Sequence, residues 1–242
     1  MSGPRNSDGV SNPFFARVWT LMSAHETEAL TRLRQDNLDA LSGRVLEVGA
    51  GTGTNFAHYP PTVAEVLAVE PEPLLAGHAR TAATAAPVPV HVTEQTVESL
   101  TDSEPFDAVV CSLVLCSVDD PYAAVREIRR VLKPGGRFLF LEHGGGEGTR
   151  AEWQRRLDGI WAAVNAGCHL TRNVTDVLAS GTAEASPDRD FTVKVDATGR
   201  ERRFRAVTED RVVRRLTVEI EIANINEHLF PRQIDLSPRS QS

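Results

Sequence analysis

The sequence predicts an α/β fold built from βαβ units, and three observations predict it. A short β-branched run, Val45-Leu46-Glu47-Val48, feeds Gly49-Ala50-Gly51-Thr52-Gly53, where glycines alternate with small residues. Glycine lets a chain turn sharply and lets a ligand approach the backbone without meeting a Cβ. A strand leading into such a turn and then a helix opens a nucleotide-type unit. A second apolar run, Glu65 to Val69, ends in Glu70. That acid lies about 20 residues past the glycines, where such sites place a carboxylate on ribose hydroxyls. Further strand-like runs then alternate with helical stretches.

Each element has its own signal. From Pro13 a helix sets Phe14, Phe15, Val18, Trp19 and Met22 on one face. That aromatic group reads as core packing and also as a lid over a ligand. A second helix, roughly 26–41, stripes Leu30, Leu33, Leu38 and Leu41 and stops at Ser42-Gly43. Thr54 to His58 should open a short helix whose first N–H groups suit a carboxylate, and Tyr59-Pro60-Pro61 breaks it. Pro73 to Ala86 is an Ala-rich helix, and the prolines around Val88–Val92 mark an edge strand. The fourth strand begins at Phe106, and Asp119-Asp120-Pro121 reads as an N-cap with proline in the first turn. That helix carries Val125, Ile128, Val131 and Leu132, and Lys133-Pro134-Gly135-Gly136 stops it. The fifth strand, Arg137–Leu141, ends at Glu142-His143 and a second glycine cluster. A helix from about Thr149 spaces Trp153, Leu157, Ile160/Trp161 and Val164 as a stripe expected to face the core. In the tail, Phe191/Val193/Val195, Phe204/Ala206 and Leu216/Val218/Ile220/Ile222 alternate with a two-residue period, a hairpin plus a further strand.

At 242 residues, 41% hydrophobic and 24% charged, the chain has material for one sizeable core. A net charge of -7 argues against a nucleic-acid-coating surface. The arginines between Arg200 and Arg215 are balanced by Glu201, Glu209 and Asp210 and read as a solvated strand face. No stretch reaches the roughly 18 apolar residues of a membrane span, and Met1 to Asn12 has no secretory h-region. Cys111, Cys116 and Cys168 show no metal spacing and read as small buried hydrophobes rather than ligands or nucleophiles. A reduced, cytoplasmic protein is expected, with no metal; the sequence sets no oligomeric state.

Leu46-Glu47-Val48-Gly49-Ala50-Gly51-Thr52-Gly53, Val69-Glu70-Pro71, Phe106-Asp107-Ala108-Val109-Val110 and Arg130-Val131-Leu132-Lys133-Pro134-Gly135-Gly136 occur in that order. The set resembles the class I S-adenosylmethionine (SAM)-dependent methyltransferases of the ubiquinone/menaquinone type, also described as methyltransferase type 11. Asn55-Phe56, Tyr59-Pro60, Leu113–Val118, Glu142-His143 and Gly167-Cys168-His169-Leu170-Thr171-Arg172 are similar to the methyltransferase-like thiol S-methyltransferases and their bacterial relatives. The resemblance covers about residues 13–178. It implies a Rossmann-like, mostly parallel seven-stranded sheet with helices on both faces, and SAM across the ends of the first, second and fourth strands. It implies that Glu47, Gly49, Gly51 and Gly53 hold the amino-acid end of SAM, Glu70 the ribose, and Val97 and Glu98 flank adenine. Ala50, Thr52, Asn55, Pro71, Ser112 and Leu113 complete that set. Thr96 departs from the acid the family often carries there. After Leu178 the chain departs altogether. The expected organisation is therefore a disordered tail over 1–12, a methyltransferase domain with a helical lid over 13–178, a divergent β-rich segment over 179–230, and a disordered tail over 231–242.

Methyl transfer from a sulfonium is an in-line displacement that needs positioning and water exclusion. The acceptor is expected to be a small molecule, and a thiol suits a dry pocket because opposite charges cancel. Phe14, Phe15, Trp19, Leu115, Cys116 and His143 are expected to line that pocket. His143 is the candidate general base, since imidazole titrates near neutral pH, and it can equally order its loop through a backbone carbonyl. His169 reads as structural. Two other classes stand beside this one. One is a SAM-binding regulatory or partner-binding domain without turnover. The other is a nicotinamide-dependent oxidoreductase, against which the missing third glycine of G-x-G-x-x-G speaks.

Overall fold

β1 (Gly43–Val48) lies inside one sheet, between β2 (Val63–Val69) and β4 (Phe106–Ser112). The computed structural model describes residues 12–100, 104–142, 148–165 and 167–172, positions 174 and 177, and strands at 191–195, 200–204 and 216–220. Beyond β2 lies β3 (Val90–Thr93), at the edge where its flanking prolines cost no ladder bond. Beyond β4 lies β5 (Leu132–Leu141). Those five strands are all parallel. The chain works outward from β1 to β3, then crosses back to β4. The strand order therefore reverses beside β1, and the ligand crevice of such sheets opens at the carboxyl ends there.

Adjacent residues along the central strands feed opposite cores, the mark of a parallel sheet buried on both faces. Leu46, Val48, Val109, Cys111, Phe138 and Phe140 join Val125, Ile128 and Val131 of α4 (Pro121–Val131). Val45, Val66, Ala68, Val110 and Leu139 join Leu38 of α2 (Glu28–Leu38), Ala79 of α3 (Pro73–Ala83), Phe56 and Tyr59. The helices start where the sequence says. In α1 (Pro13–Ser23), α3 and α4, proline follows a capping side chain, and that side chain accepts a backbone N–H: Asn12 from Phe15, Glu72 from Leu75, Asp120 from Ala123.

Three expectations change. The resemblance implied seven strands, and the described sheet has eight, in the order β3-β2-β1-β4-β5-β8-β6-β7. The tail supplies three of them: β8 (Leu216–Ile220) runs parallel to β5, and the antiparallel pair β6 (Phe191–Val195) and β7 (Arg200–Phe204) lies outside it. The short helix at 54–58 is a single 3-10 turn, Phe56–His58, because Tyr59-Pro60 ends it at once. In α5 (Gly148–Val164) the apolar stripe points outward: Trp153, Leu157, Ile160 and Val164 are 60%, 47%, 69% and 48% exposed. The 3–4 spacing fixes that they share a face, not which way it turns. Gln154, Asp158 and Trp161, on the opposite side, are turned inward, and Asp158 bonds to the segment after the helix. The expected disordered tails at 1–11 and 231–242 lie outside the described residues.

The outward stripe has a direct check. Ile160→Ser should leave the unfolding free energy from urea titration within about 0.5 kcal/mol of the parent, whereas Ile128→Ala in the core should cost about 2–5 kcal/mol. A cost above about 2 kcal/mol at Ile160 would turn the stripe back toward the core.

Candidate functional site

The glycine loop leaves β1 at its carboxyl end and folds back under two side chains. Gly49 and Gly51 hold φ of 65° and 57°, the left-handed region that favours glycine. A Cβ on Gly49 would lie 2.6 Å from Val114, and one on Gly51 would lie 3.0 Å from Nε1 of Trp19. Helix α1 therefore rests on this loop through Trp19, which stacks on Phe15 with ring centroids 5.9 Å apart. Thr52 Oγ1 adds a 3.1 Å hydrogen bond to Ser23 Oγ on the same helix. From the end of β2, Glu70 reaches the loop directly. Its Oε2 accepts from Gly51 N at 2.7 Å, and its Oε1 accepts from Glu72 N at 2.9 Å. Burial raises the Glu70 pKa above the ordinary carboxylate value, and these two N–H groups oppose the rise.

Beneath the loop lies a buried polar network. Glu47 Oε1 accepts from Asn55 Nδ2 at 3.0 Å, and Oε2 accepts from the Tyr59 hydroxyl at 2.6 Å. Asn55 Nδ2 also donates to Ser112 Oγ at 3.0 Å, while Asn55 Oδ1 accepts from Arg34 Nη1 at 2.9 Å. Arg34 is itself buried and paired with Glu26 at 2.7 Å. One amide thus ties β1, the end of β4 and α2 together. Burial pushes the Glu47 pKa up to about 7, against the hydrogen bonds from Tyr59 and Asn55 and the charge of Arg34. The same burial, with Glu47 alongside, drives the Tyr59 hydroxyl well above its usual value.

The loop after β4 is held by a third buried carboxylate. Glu142 Oε1 accepts from Val114 N at 2.6 Å and from Leu115 N at 2.7 Å. Leu113, just before them, has φ of 61° and donates its N–H to Leu141 O at 2.7 Å. A left-handed leucine costs about 1–2 kcal/mol, and two charge-assisted bonds at about 1.5–3 kcal/mol each offset it.

Glu47, Gly49, Gly51, Thr52, Asn55, Glu70 and Ser112 thus come together in one connected patch at the carboxyl ends of β1, β2 and β4. Ala50 turns its methyl into the core, Gly53 is buried, and Pro71 is half-buried after Glu70. Leu113 shapes the loop through its backbone. Val97 belongs to the main core and Glu98 is exposed, in the 3-10 turn after β3. The expected acceptor wall is corrected in part. Phe14 is 65% exposed, and Leu115 and Cys116 are core residues, because Glu142 pulls their loop inward. His143 lies outside the described residues. Sequence reasoning gave Glu26 and Arg34 no part in the site, and it named Tyr59 and Glu142 within motifs of the resemblance without giving either a role. A signal for Glu142 was there: like Glu70, it is an acid just past the end of an apolar strand.

A methyltransferase domain model matches residues 46–140. Thiol S-methyltransferase TMT1A of Homo sapiens is 34% identical over 172 residues, covering 66% of this chain and 70% of that one. The chain belongs to the SAM-dependent methyltransferase family. Thiol S-methyltransferase TMT1B of Rattus norvegicus is 36% identical over 164 residues, 65% of this chain and 66% of that one. The chain thus spans about two thirds of the length of these relatives. The crystal structure of YcgJ from Bacillus subtilis superposes with a TM-score of 0.55 at 24% identity, over 65% of this chain and 68% of that one, and shares the fold. SAM is the methyl donor of this family, and the residues present fit it. The cradle at Gly49 and Gly51 has no room for a Cβ, and a buried carboxylate at Glu70 faces it.

Glu47 should leave a pH signature. Its carboxyl holds a proton in the folded chain up to about pH 7 but loses it near 4.5 when unfolded. Its contribution is therefore complete below the unfolded value and is lost as pH rises through the folded one. Urea titrations of Glu47→Gln against the parent should show that decline reduced by up to about 3 kcal/mol across the window. Parallel profiles would show that Glu47 titrates alike in the folded and unfolded chain.

Proposed function

We propose that the chain transfers the methyl group of SAM to the sulfur of a small-molecule thiol. The observation that carries donor binding is the Glu70 carboxylate 2.7 Å from the Gly51 amide. A ribose held there meets an acceptor-only group able to take both of its hydroxyl protons. Gly49 to Gly53 then face the amino-acid end of the donor, with Asn55 and Glu47 fixing the loop from below. The thiol acceptor is supported by the relatives named thiol S-methyltransferase, at 34% and 36% identity.

The donor supplies an electrophilic methyl carbon on a cationic sulfur. The chain's own residues supply position and exclusion of water. Trp19 and Ser23 bring α1 down on the glycine loop, so ordering the loop and closing the lid are one event. Alignment of two reactants can account for several kcal/mol of the barrier. A thiolate meeting a sulfonium loses charge on the way to the transition state, and low polarity favours that. Among the described residues no group of His, Cys, Asp and Glu could hold a metal ion, and no helix is long and apolar enough to cross a membrane.

Incubation with SAM and a panel of alkyl and aryl thiols, read by mass spectrometry, tests this. Methyl thioether together with S-adenosylhomocysteine is the expected product pair; tight SAM binding with no thioether from any thiol sinks the acceptor. Glu70→Ala should raise the calorimetric Kd for SAM about 10²-fold, the equivalent of one or two charge-assisted hydrogen bonds. An unchanged Kd would remove Glu70 from the donor site.

A further inference from the structure

We propose that His169, oriented by Asp158, takes the proton from the acceptor thiol; this rests on the thiol reading above. His169 Nδ1 lies 2.8 Å from Asp158 Oδ2, and Asp158 Oδ1 accepts from Thr171 N at 3.0 Å. The carboxylate is thus aimed from two sides, and it holds the imidazole with Nδ1 protonated. That leaves Nε2 as the accepting nitrogen, the arrangement by which a third group orients a general base. Burial alone would raise the Asp158 pKa, but the bonds from His169 and Thr171 bring it below the ordinary value, so Asp158 stands as a carboxylate beside the ring. Among the described residues Nε2 makes no hydrogen bond, and the His169 side chain is 41% exposed.

The fold places this pair beside the site. His169 N donates to Cys116 O at 2.9 Å. Arg172 Nη1 donates to Leu115 O at 2.9 Å and to Val118 O at 2.7 Å. Residues 167–172 are therefore clamped across the loop that follows β4, and Ser112, the last residue of β4, joins Asn55. In the sheet, Glu70 ends β2, the glycine loop ends β1, and this loop ends β4, in that lateral order. With the ribose at Glu70, a donor lying across the glycine loop would run toward the β4 end, the side on which the His169 backbone is bound. Asp158 on α5 faces the His169 ring, Cys116 lies under its backbone, and Cys168 and Arg172 flank it on its own segment. The Cys116 thiol, pushed well up by its hydrogen bond with Cys168 and by burial, stays neutral.

The chemistry needs such a group because only the thiolate attacks, and an ordinary thiol, with a pKa of about 8.5, is mostly protonated at neutral pH. In the step, the S–H proton passes to His169 Nε2. A sulfur lone pair forms the new bond to the methyl carbon, and the bond from that carbon to the sulfonium breaks with its electron pair left on the departing sulfur. The products are a methyl thioether, S-adenosylhomocysteine and an imidazolium that returns its proton to solvent.

The test compares two acceptors in the full chain: an alkyl thiol that is protonated at the assay pH and an aryl thiol that is already ionised. His169→Asn retains a donor toward Asp158 and should lose about 10²-fold in kcat/KM with the alkyl thiol. With the aryl thiol it should stay within about threefold, with the SAM Kd unchanged. Asp158→Asn should show the same selectivity with a smaller loss, which decides the matter if the first variant does not fold. Equal losses on both thiols, no loss on either, or a selective loss in His143→Asn instead would overturn the assignment. A parent chain that binds SAM and methylates neither thiol would overturn the thiol reading, and this assignment with it.

Discussion

The contact between the Glu70 carboxylate and the Gly51 amide is the constraint on which the site depends. It joins the ends of β1 and β2, strands whose parallel register already sets Val48 beside Val69. A glycine-rich loop is entropically loose on its own. One buried acceptor gives it a fixed shape before any ligand arrives, and the same acceptor is available to a ligand's hydroxyls.

Two more glutamates repeat the device. Glu47 and Glu142 are buried near the carboxyl ends of their strands, and each accepts hydrogen bonds from the irregular segment above it. Burying a carboxylate is expensive without donors to its oxygens, so each acid favours a loop conformation that brings donors to it; at Glu142 two backbone N–H groups converge on Oε1. Asn55 couples two of the loops by donating to Glu47 and to Ser112. The segments after β1 and β4 are therefore parts of one polar framework, and Arg34 with Glu26 extends it to α2.

Much of this was legible in the sequence. The five parallel strands, the edge position of β3 and the proline-led helix starts follow from local chemistry. Glu47, Gly51, Asn55 and Glu70 are found together where the motif spacing put them. Val97 and Glu98 follow β3 as expected, but one packs in the core and the other faces solvent. Leu115 and Cys116 were expected at a pocket wall, and their burial follows from Glu142, which is 27 residues from Leu115 in the chain. Arg34 looked like one more polar residue on a leucine-striped helix, because its partners come from residues 26 and 55.

The sequence by itself determined the five parallel strands at the heart of the sheet, because strand burial and turn chemistry depend on residues close together in the chain. Its glycines and Glu70 marked a nucleotide-type βαβ unit, and the order of the motifs resembled one methyltransferase family. Only the tertiary structure decided which way α5 turns its apolar stripe and which carboxylate anchors which loop. It also decided that His169 meets Asp158 beside the loop after β4. Those pairings join separate elements, and periodicity along one element carries no information about what lies opposite it.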